Sequence, residues 1–113
     1  MGEKINLLGS FEEIVLMAIR HLGENNAYGV PIRQAVEEAT KRSTSVGALY
    51  TTLERLEEKG YISSRQGEAT PERGGRAKRY FRLEGAGVQA LTDAEMSRRH
   101  FGLPSLNGLE GTR

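Results

Sequence analysis

The sequence contains no cysteine, no tryptophan and two histidines among its 113 residues. Without cysteine, neither a disulfide framework nor a thiolate metal site can be built, which suits a reducing compartment, and we expect a cytoplasmic location. His21 and His100 lie far apart in the chain, so they offer little material for a zinc site or a nucleophile–histidine pair. We therefore expect no metal and no cofactor.

Long apolar runs and catalytic motifs are also missing. The first residues, MGEKINLL, include one lysine and no extended hydrophobic stretch, so we expect neither a signal peptide nor a membrane span. Acidic residues are plentiful, but they occur as helix-surface charges such as Glu57 and Glu58. No glycine-rich phosphate loop, metal-ligand spacing or catalytic triad accompanies them. The sequence therefore argues against an enzyme.

Charge is distributed unevenly along a chain whose net charge is +1. The length, with 37% hydrophobic and 27% charged residues, is that of one soluble domain. Residues 1–40 carry three basic and six acidic groups, residues 41–82 carry ten and five, and residues 83–113 carry three and four. A protein with one surface facing a polyanion shows this asymmetry, although charge runs are ordinarily solvated faces.

Helical periodicity predicts two helices in the first 40 residues. The motif SFEE at residues 10–13 is typical of a capping box in which Ser10 is the N-cap and Glu13 reaches back to its N–H. Apolar residues then recur with helical spacing until Gly23, which ends the helix. A second helix is predicted to begin near Gly29, because the proline two residues later suits a first helical turn.

A third helix follows after the basic connector TKRST at residues 40–44. Ser45 is its predicted N-cap, and Lys59-Gly60 ends it. Its apolar stripe, which we assign to the core, comprises Leu49, Leu53 and Leu56. Two helices joined by a short turn make a candidate helix-turn-helix.

The period then changes to that of a β-hairpin. Residues 61–65 have strand-like composition, residues 67–75 are rich in turn formers, and residues 76–83 alternate, with Phe81 and Leu83 facing the core. Five basic side chains and no acid lie between Arg73 and Arg82. A solvated hairpin tip explains one or two such charges, so five indicate a DNA-binding wing.

A fourth helix is predicted over Gly85–Arg99. Its apolar set is thin, which suggests that it completes its core on another chain. The expected fold class is mostly α with a small β-hairpin (α+β), a winged helix-turn-helix with an additional C-terminal dimerisation helix. The expected boundaries are residues 1–84 for the DNA-binding domain, 85–101 for the dimerisation helix and 102–113 for a flexible tail.

Two motifs identify a resemblance. The stretch GALYTTLERLEEKGYI at residues 47–62 and the stretch GRAKRYFRL at residues 75–83 resemble the recognition helix and wing of the PadR-like family of transcriptional regulators. The resemblance covers about residues 8 to 92. Ala77 stands where the family usually has proline, which loosens the wing. Glu84 replaces the usual threonine, which weakens the N-cap of the last helix.

The resemblance implies a homodimer that binds a double-stranded DNA operator, with repression as the usual output. The residues predicted to contact DNA are Lys41, Arg42, Ser43, Thr44, Ser45, Gly47, Tyr50, Thr51, Arg73, Arg76, Lys78 and Arg79. Those predicted to contribute to the dimer, through the C-terminal and first helices, are Phe11, Val88, Leu91 and Met96. Some family members respond to aromatic compounds, but nothing in this sequence identifies a small-molecule effector.

Several of these residues have ordinary structural interpretations beside the functional one. Ser45 suits a cap better than a DNA contact. The Tyr50 ring can pack on the helix-turn-helix core while its hydroxyl meets phosphate. Gly47 costs about 1 kcal/mol relative to alanine in a helix, and either packing or a close approach of DNA explains it.

Two functions fit the sequence. The first is a sequence-specific DNA-binding regulator, a dimeric repressor with its third helix in the major groove. The alternative is a winged-helix module that binds another protein and lacks specific DNA binding, since a fold does not fix a function.

Overall fold

The structure, a computed structural model, describes residues 8–67 and 77–102. Its elements in chain order are α1 (Ser10–Leu22), α2 (Gly29–Thr40), α3 (Val46–Glu58), β1 (Ile62–Gln66), β2 (Arg79–Leu83) and α4 (Gly85–His100). The predicted α+β order of three helices, a hairpin and a fourth helix is confirmed, and the fold is a winged helix-turn-helix. Some bounds differ by one residue: β1 spans Ile62–Gln66 rather than residues 61–65, and α4 continues to His100. Of the predicted tail, residues 102–113, all but Gly102 lie outside the described residues.

The prediction for the start of α1 was wrong in its details. The N-cap is Gly9, and Ser10 is already the first helical residue. It is Glu12, not Glu13, that accepts a hydrogen bond from the N-cap N–H, with Gly9 N and Glu12 Oε1 2.9 Å apart. Because Glu12 is the third helical residue after Gly9, the reach-back half of a capping box forms without a serine.

One hydrophobic core joins α1, α2 and α3 to the hairpin. The side chains buried most completely are Phe81, Leu16, Ile19, Ile32, Leu49, Leu53, Leu56, Ile62, Val15 and Val36. The predicted core stripe of α3 is confirmed, as is Phe81 on β2, whereas Leu83 packs at the edge and is partly buried. Since one side of α3 is fully used by this core, the other side is left to solvent.

The two strands pair antiparallel, with Ile62 opposite Leu83 and Gln66 opposite Arg79. The turn between α1 and α2 adds to the other edge of β2, because Phe81 N–H donates to Ala27 O over 2.8 Å. Tyr28 forms an isolated bridge with Tyr80 at the same edge. Tyr80 is therefore partly buried beside Tyr28.

The docking of α4 depends on a glycine in its first turn. A Cβ on Gly87 would lie 2.3 Å from the carbonyl oxygen of Tyr61, so only glycine allows α4 to approach the start of β1 this closely. Glu84 N–H donates to the same Tyr61 oxygen over 2.9 Å. Within the described ranges, none of the helices is long and apolar enough to cross a bilayer.

Candidate nucleic-acid interface

The turn between α2 and α3 is held by two side chains of α2. Arg33 Nε donates to Thr44 O over 2.6 Å, and Thr44 N–H donates to Glu37 Oε2 over 2.7 Å. The two side chains also approach each other within 3.6 Å. Together they fix where α3 begins relative to α2. Neither Arg33 nor Glu37 was predicted as functional, although their i,i+4 spacing is the signal in the sequence that indicates such a pair.

Thr44 itself is 7% exposed, because this backbone clamp draws it into the turn. The predicted DNA contact of Thr44 stays a prediction. The residue presents little surface of its own, and the clamp on its backbone positions α3. Lys41, Arg42 and Ser43 are exposed. Lys41 has a left-handed backbone conformation with φ of 61°, and its N–H closes α2 by donating to Glu37 O. The turn thus presents two cations beside the start of α3.

The first turns of α3 are exposed on the side away from the core. Ser45 acts as N-cap as predicted, since its Oγ accepts from Ala48 N–H over 3.0 Å. Gly47 and Thr51 lie on the exposed side. A Cβ on Gly47 would meet nothing within 4 Å among the described residues. Packing inside this chain therefore does not explain the glycine.

Tyr50 joins α3 to the first residue of α2. A Cβ on Gly29 would lie 2.2 Å from the Tyr50 hydroxyl and 3.2 Å from its ring, so the ring occupies the space that a larger residue at position 29 would need. Tyr50 is partly buried and packs against the core. The predicted packing role is confirmed for the ring, and the predicted phosphate contact of the hydroxyl, which lies against Gly29, stays a prediction.

Arg79 is held against α3. Its guanidinium pairs with Glu57 Oε1 at 2.5 Å and donates to Ser64 Oγ over 3.1 Å, while Ser64 Oγ donates to Glu57 Oε2 over 2.9 Å. This triangle connects β1, β2 and the last turn of α3. Arg79 therefore fixes the angle of the wing, a role that the sequence did not indicate.

The other face of the wing carries a ladder of cations and aromatic rings. Lys78 Nζ lies 4.1 Å from the centre of the Tyr28 ring, and the Arg65 guanidinium carbon lies 4.7 Å from that of Tyr80. The two rings are 5.3 Å apart and tilted by 60°. Cations over aromatic faces are held electrostatically while staying near solvent. The predicted wing residues Arg73 and Arg76 lie outside the described residues.

A second charged cluster secures the far end of α3. Lys59 Nζ approaches Glu12 Oε2 within 3.2 Å, and Arg55 lies 3.9 Å from the same oxygen. Burial by itself would raise the pKa of Glu12, but the hydrogen bond from Gly9 N–H and the charges of Lys59 and Arg55 outweigh it. The pKa of Glu12 therefore lies below its usual value of 4.5.

The predicted dimerisation residues divide into two groups. Leu91 is 5% exposed and belongs to this chain's own core, against which Phe11 also packs. Its predicted contribution to a dimer stays a prediction, and within the protomer Leu91 packs α4 onto the core. Val88 and Met96 are 46% and 59% exposed. On another side of α4, a groove of about 600 Å³ runs between α4 and the start of α1, with Leu8, Ala90 and Phe101 among its lining residues.

Comparison with solved structures supports the winged-helix description. A PadR-like transcription factor from Bacteroides fragilis is 27% identical, covers 80% of this chain and 81% of its own, and gives a TM-score of 0.66. A PadR family transcription regulator from Clostridium difficile is 21% identical over 82% of this chain and 91% of its own, with a TM-score of 0.59. RosR from H. salinarum is 23% identical over 84% and 78%, with a TM-score of 0.63.

No curated protein matches the sequence significantly. Residues 18–93 match the family described as "Transcriptional regulator PadR-like family", a span that contains α2, α3, both strands and the docked part of α4. The family is one of DNA-binding transcription regulators. The chain therefore belongs to the PadR-like family of transcriptional regulators.

Proposed function

We propose that this regulator is a homodimeric repressor that inserts α3 into the major groove of a pseudo-palindromic operator. The observation that carries the proposal is the exposed side of α3, whose opposite side is consumed by the core. An α-helix with its side chains is about 10 to 12 Å across, and the major groove of B-DNA is about 12 Å wide, so α3 can lie in it. The clamp on Thr44 holds α3 ready for this placement.

Phosphate contacts in this proposal come from both sides of α3. Lys41 and Arg42 flank its start, and Lys78 stands at the base of the wing. Arg73 and Arg76 remain proposed contacts of the wing tip. Arg79 acts by orienting the wing through Glu57. Contacts of this kind set the register on DNA and supply most of the salt-dependent affinity.

The proposed dimer uses α4 together with the start of α1. Of α4, Gly87 and Leu91 are buried in the protomer, while Val88, Met96 and Phe101 expose apolar surface. A second copy of the chain would cover these side chains and the adjoining groove. The two α3 helices would then reach successive major grooves, about 34 Å apart. Repression is the output that the family resemblance implies.

The test is fluorescence anisotropy with duplex DNA from upstream of the coding sequence and with a shuffled duplex, titrated over salt concentration. Preference for the upstream DNA by about 4 kcal/mol, with a steep negative salt slope, is the expected result. Sedimentation equilibrium of wild type and Met96→Glu tests the dimer, which the variant should weaken. Absence of binding to either duplex at low salt would refute the proposal and favour the protein-binding alternative.

A further inference from the structure

The exposed side chains in the first two turns of α3 are short. They are Val46, Gly47, Ala48 and Thr51, all exposed. Val46 is 52% exposed, which is a large apolar exposure for a β-branched residue at a helix start. Within these two turns there is no arginine, lysine, asparagine or glutamine. Among the exposed residues of these turns, base-edge contacts can therefore come from methyl groups and the Thr51 hydroxyl, with the partly buried Tyr50 adding one phenol hydroxyl.

Longer polar side chains of α3 come later and do not supply the missing donors. Arg55 lies in the third turn and is directed to Glu12. Glu54 is exposed on the same side as Gly47 and Thr51, but a carboxylate only accepts hydrogen bonds. Bidentate reading of guanine needs arginine or lysine, and bidentate reading of adenine needs asparagine or glutamine. The beginning of α3 can perform neither.

The feature of a base pair that suits this surface is the thymine 5-methyl group. It projects into the major groove and is contacted by alanine, by the threonine methyl and by similar apolar groups. Val46, Ala48 and Thr51 offer such groups around Gly47. Because a Cβ on Gly47 would lie in open space among the described residues, the glycine leaves room on the outside of the helix. That room allows the short side chains to reach the base edges.

We infer that α3 recognises thymines in its half-site by close approach and methyl contact, with Val46 as the main contact and Gly47 providing the clearance. The inference rests on the proposed function, because it requires α3 to lie in the major groove. It assigns the choice of base pair near the start of α3 to van der Waals contact. Hydrogen bonding in these turns then contributes only through the hydroxyls of Thr51 and Tyr50.

The experiment compares thymine with uracil, which pairs identically and lacks only the 5-methyl group. The wild-type protein is first used to select duplexes from a random library, and the selected duplex is then remade with single dT→dU replacements. Two or more positions per half-site should lose affinity, by about fourfold per contacted methyl. In Val46→Ala, the thymine–uracil ratio at one of these positions should fall towards one. In Val30→Ala, a similarly exposed valine on α2, the ratio should be unchanged.

The outcomes separate this inference from the proposal on which it rests. If no duplex is enriched, sequence-specific binding itself fails. If duplexes are enriched but every dU replacement binds as well as dT, specific binding stands and methyl recognition is refuted. Equal effects of Val46→Ala and Val30→Ala on the thymine–uracil ratio would also refute the assignment to α3. Thermal unfolding of both variants, expected to match wild type closely, excludes a folding defect as the cause.

Discussion

Replacing Gly47 by alanine should stabilise the protein and weaken its binding to DNA. The residue is the second of α3, where glycine costs about 0.5 to 1 kcal/mol relative to alanine. A Cβ at this position meets nothing within 4 Å among the described residues, so the added methyl group causes no steric clash with them. For a domain of this size, the gain corresponds to a rise in melting temperature of roughly 2 to 5 °C.

On DNA the same methyl group should be unfavourable, because it would occupy the clearance between α3 and the base edges. We expect affinity for a selected duplex to fall by about tenfold, equivalent to about 1.4 kcal/mol. Thermal unfolding without DNA and fluorescence anisotropy with DNA measure the two effects on one preparation. We expect stability to rise and DNA affinity to fall in the same variant, as at other sites where a functional residue lowers stability.

A matched substitution at another helical glycine provides the control. In Gly87→Ala the new Cβ would lie 2.3 Å from the Tyr61 carbonyl oxygen, so α4 must shift, and we expect a loss of at least about 2 kcal/mol of stability. If Gly47→Ala instead destabilises the fold, the start of α3 is not as open as the structure indicates. If it stabilises the fold and binds DNA unchanged, α3 does not approach DNA at Gly47.

Three further experiments test the charged clusters. Glu12→Gln should lose about 2 kcal/mol of stability at neutral pH, because it removes a carboxylate that accepts charged hydrogen bonds. The pKa of Glu12 is lowered in the folded state, so its contribution to stability is present above the usual pKa of 4.5 and is lost as pH falls through the folded pKa. The free energies of unfolding of wild type and Glu12→Gln, measured in urea, should therefore become equal in acid. Arg79→Ala and Glu57→Gln should weaken DNA binding similarly without changing the salt slope, whereas a lower slope in Arg79→Ala alone would show that Arg79 contacts phosphate. The double variant Lys41→Ala, Arg42→Ala should reduce the slope of log affinity against log salt by about two per protomer and leave stability nearly unchanged; an unaltered slope would remove the turn from the interface.

The sequence predicted the elements well because each depends on local chemistry. Ser45 caps α3 through its own hydroxyl, and the apolar stripe of Leu49, Leu53 and Leu56 is set by helical spacing alone. The start of α1 was misassigned because two acidic residues follow each other, and spacing from Ser10 favoured the wrong one. The local pattern does not distinguish Gly9 from Ser10 as the cap.

The site was predicted less completely because long-range pairing decides which polar groups stay available. Arg79 reads in the sequence as one of five wing cations, yet Glu57, which lies 22 residues earlier, binds it. The sequence predicts an exposed turn residue at Thr44, yet hydrogen bonds from its backbone to Arg33 and Glu37 hold it in a buried position. Leu91 reads as an unpartnered apolar residue because the thin apolar set of α4 does not reveal the close approach at Gly87. Each of these outcomes depends on tertiary contacts that spacing does not encode.

The charged residues therefore divide into those that hold the DNA-binding elements in place and those that remain for DNA. Arg33 secures the turn, Arg79 the wing and Lys59 the far end of α3, each against a carboxylate of the same chain. A cation already paired with a carboxylate releases few DNA counterions on binding. The number of basic residues between positions 41 and 82 is therefore larger than the number of cations available to bind phosphate. Because fewer cations attract the phosphate backbone of DNA of any sequence, nonspecific DNA competes less well with the operator for the protein. In the proposed complex, discrimination would then depend on how closely α3 fits its own half-site, which is the property that we assign to the short side chains around Gly47.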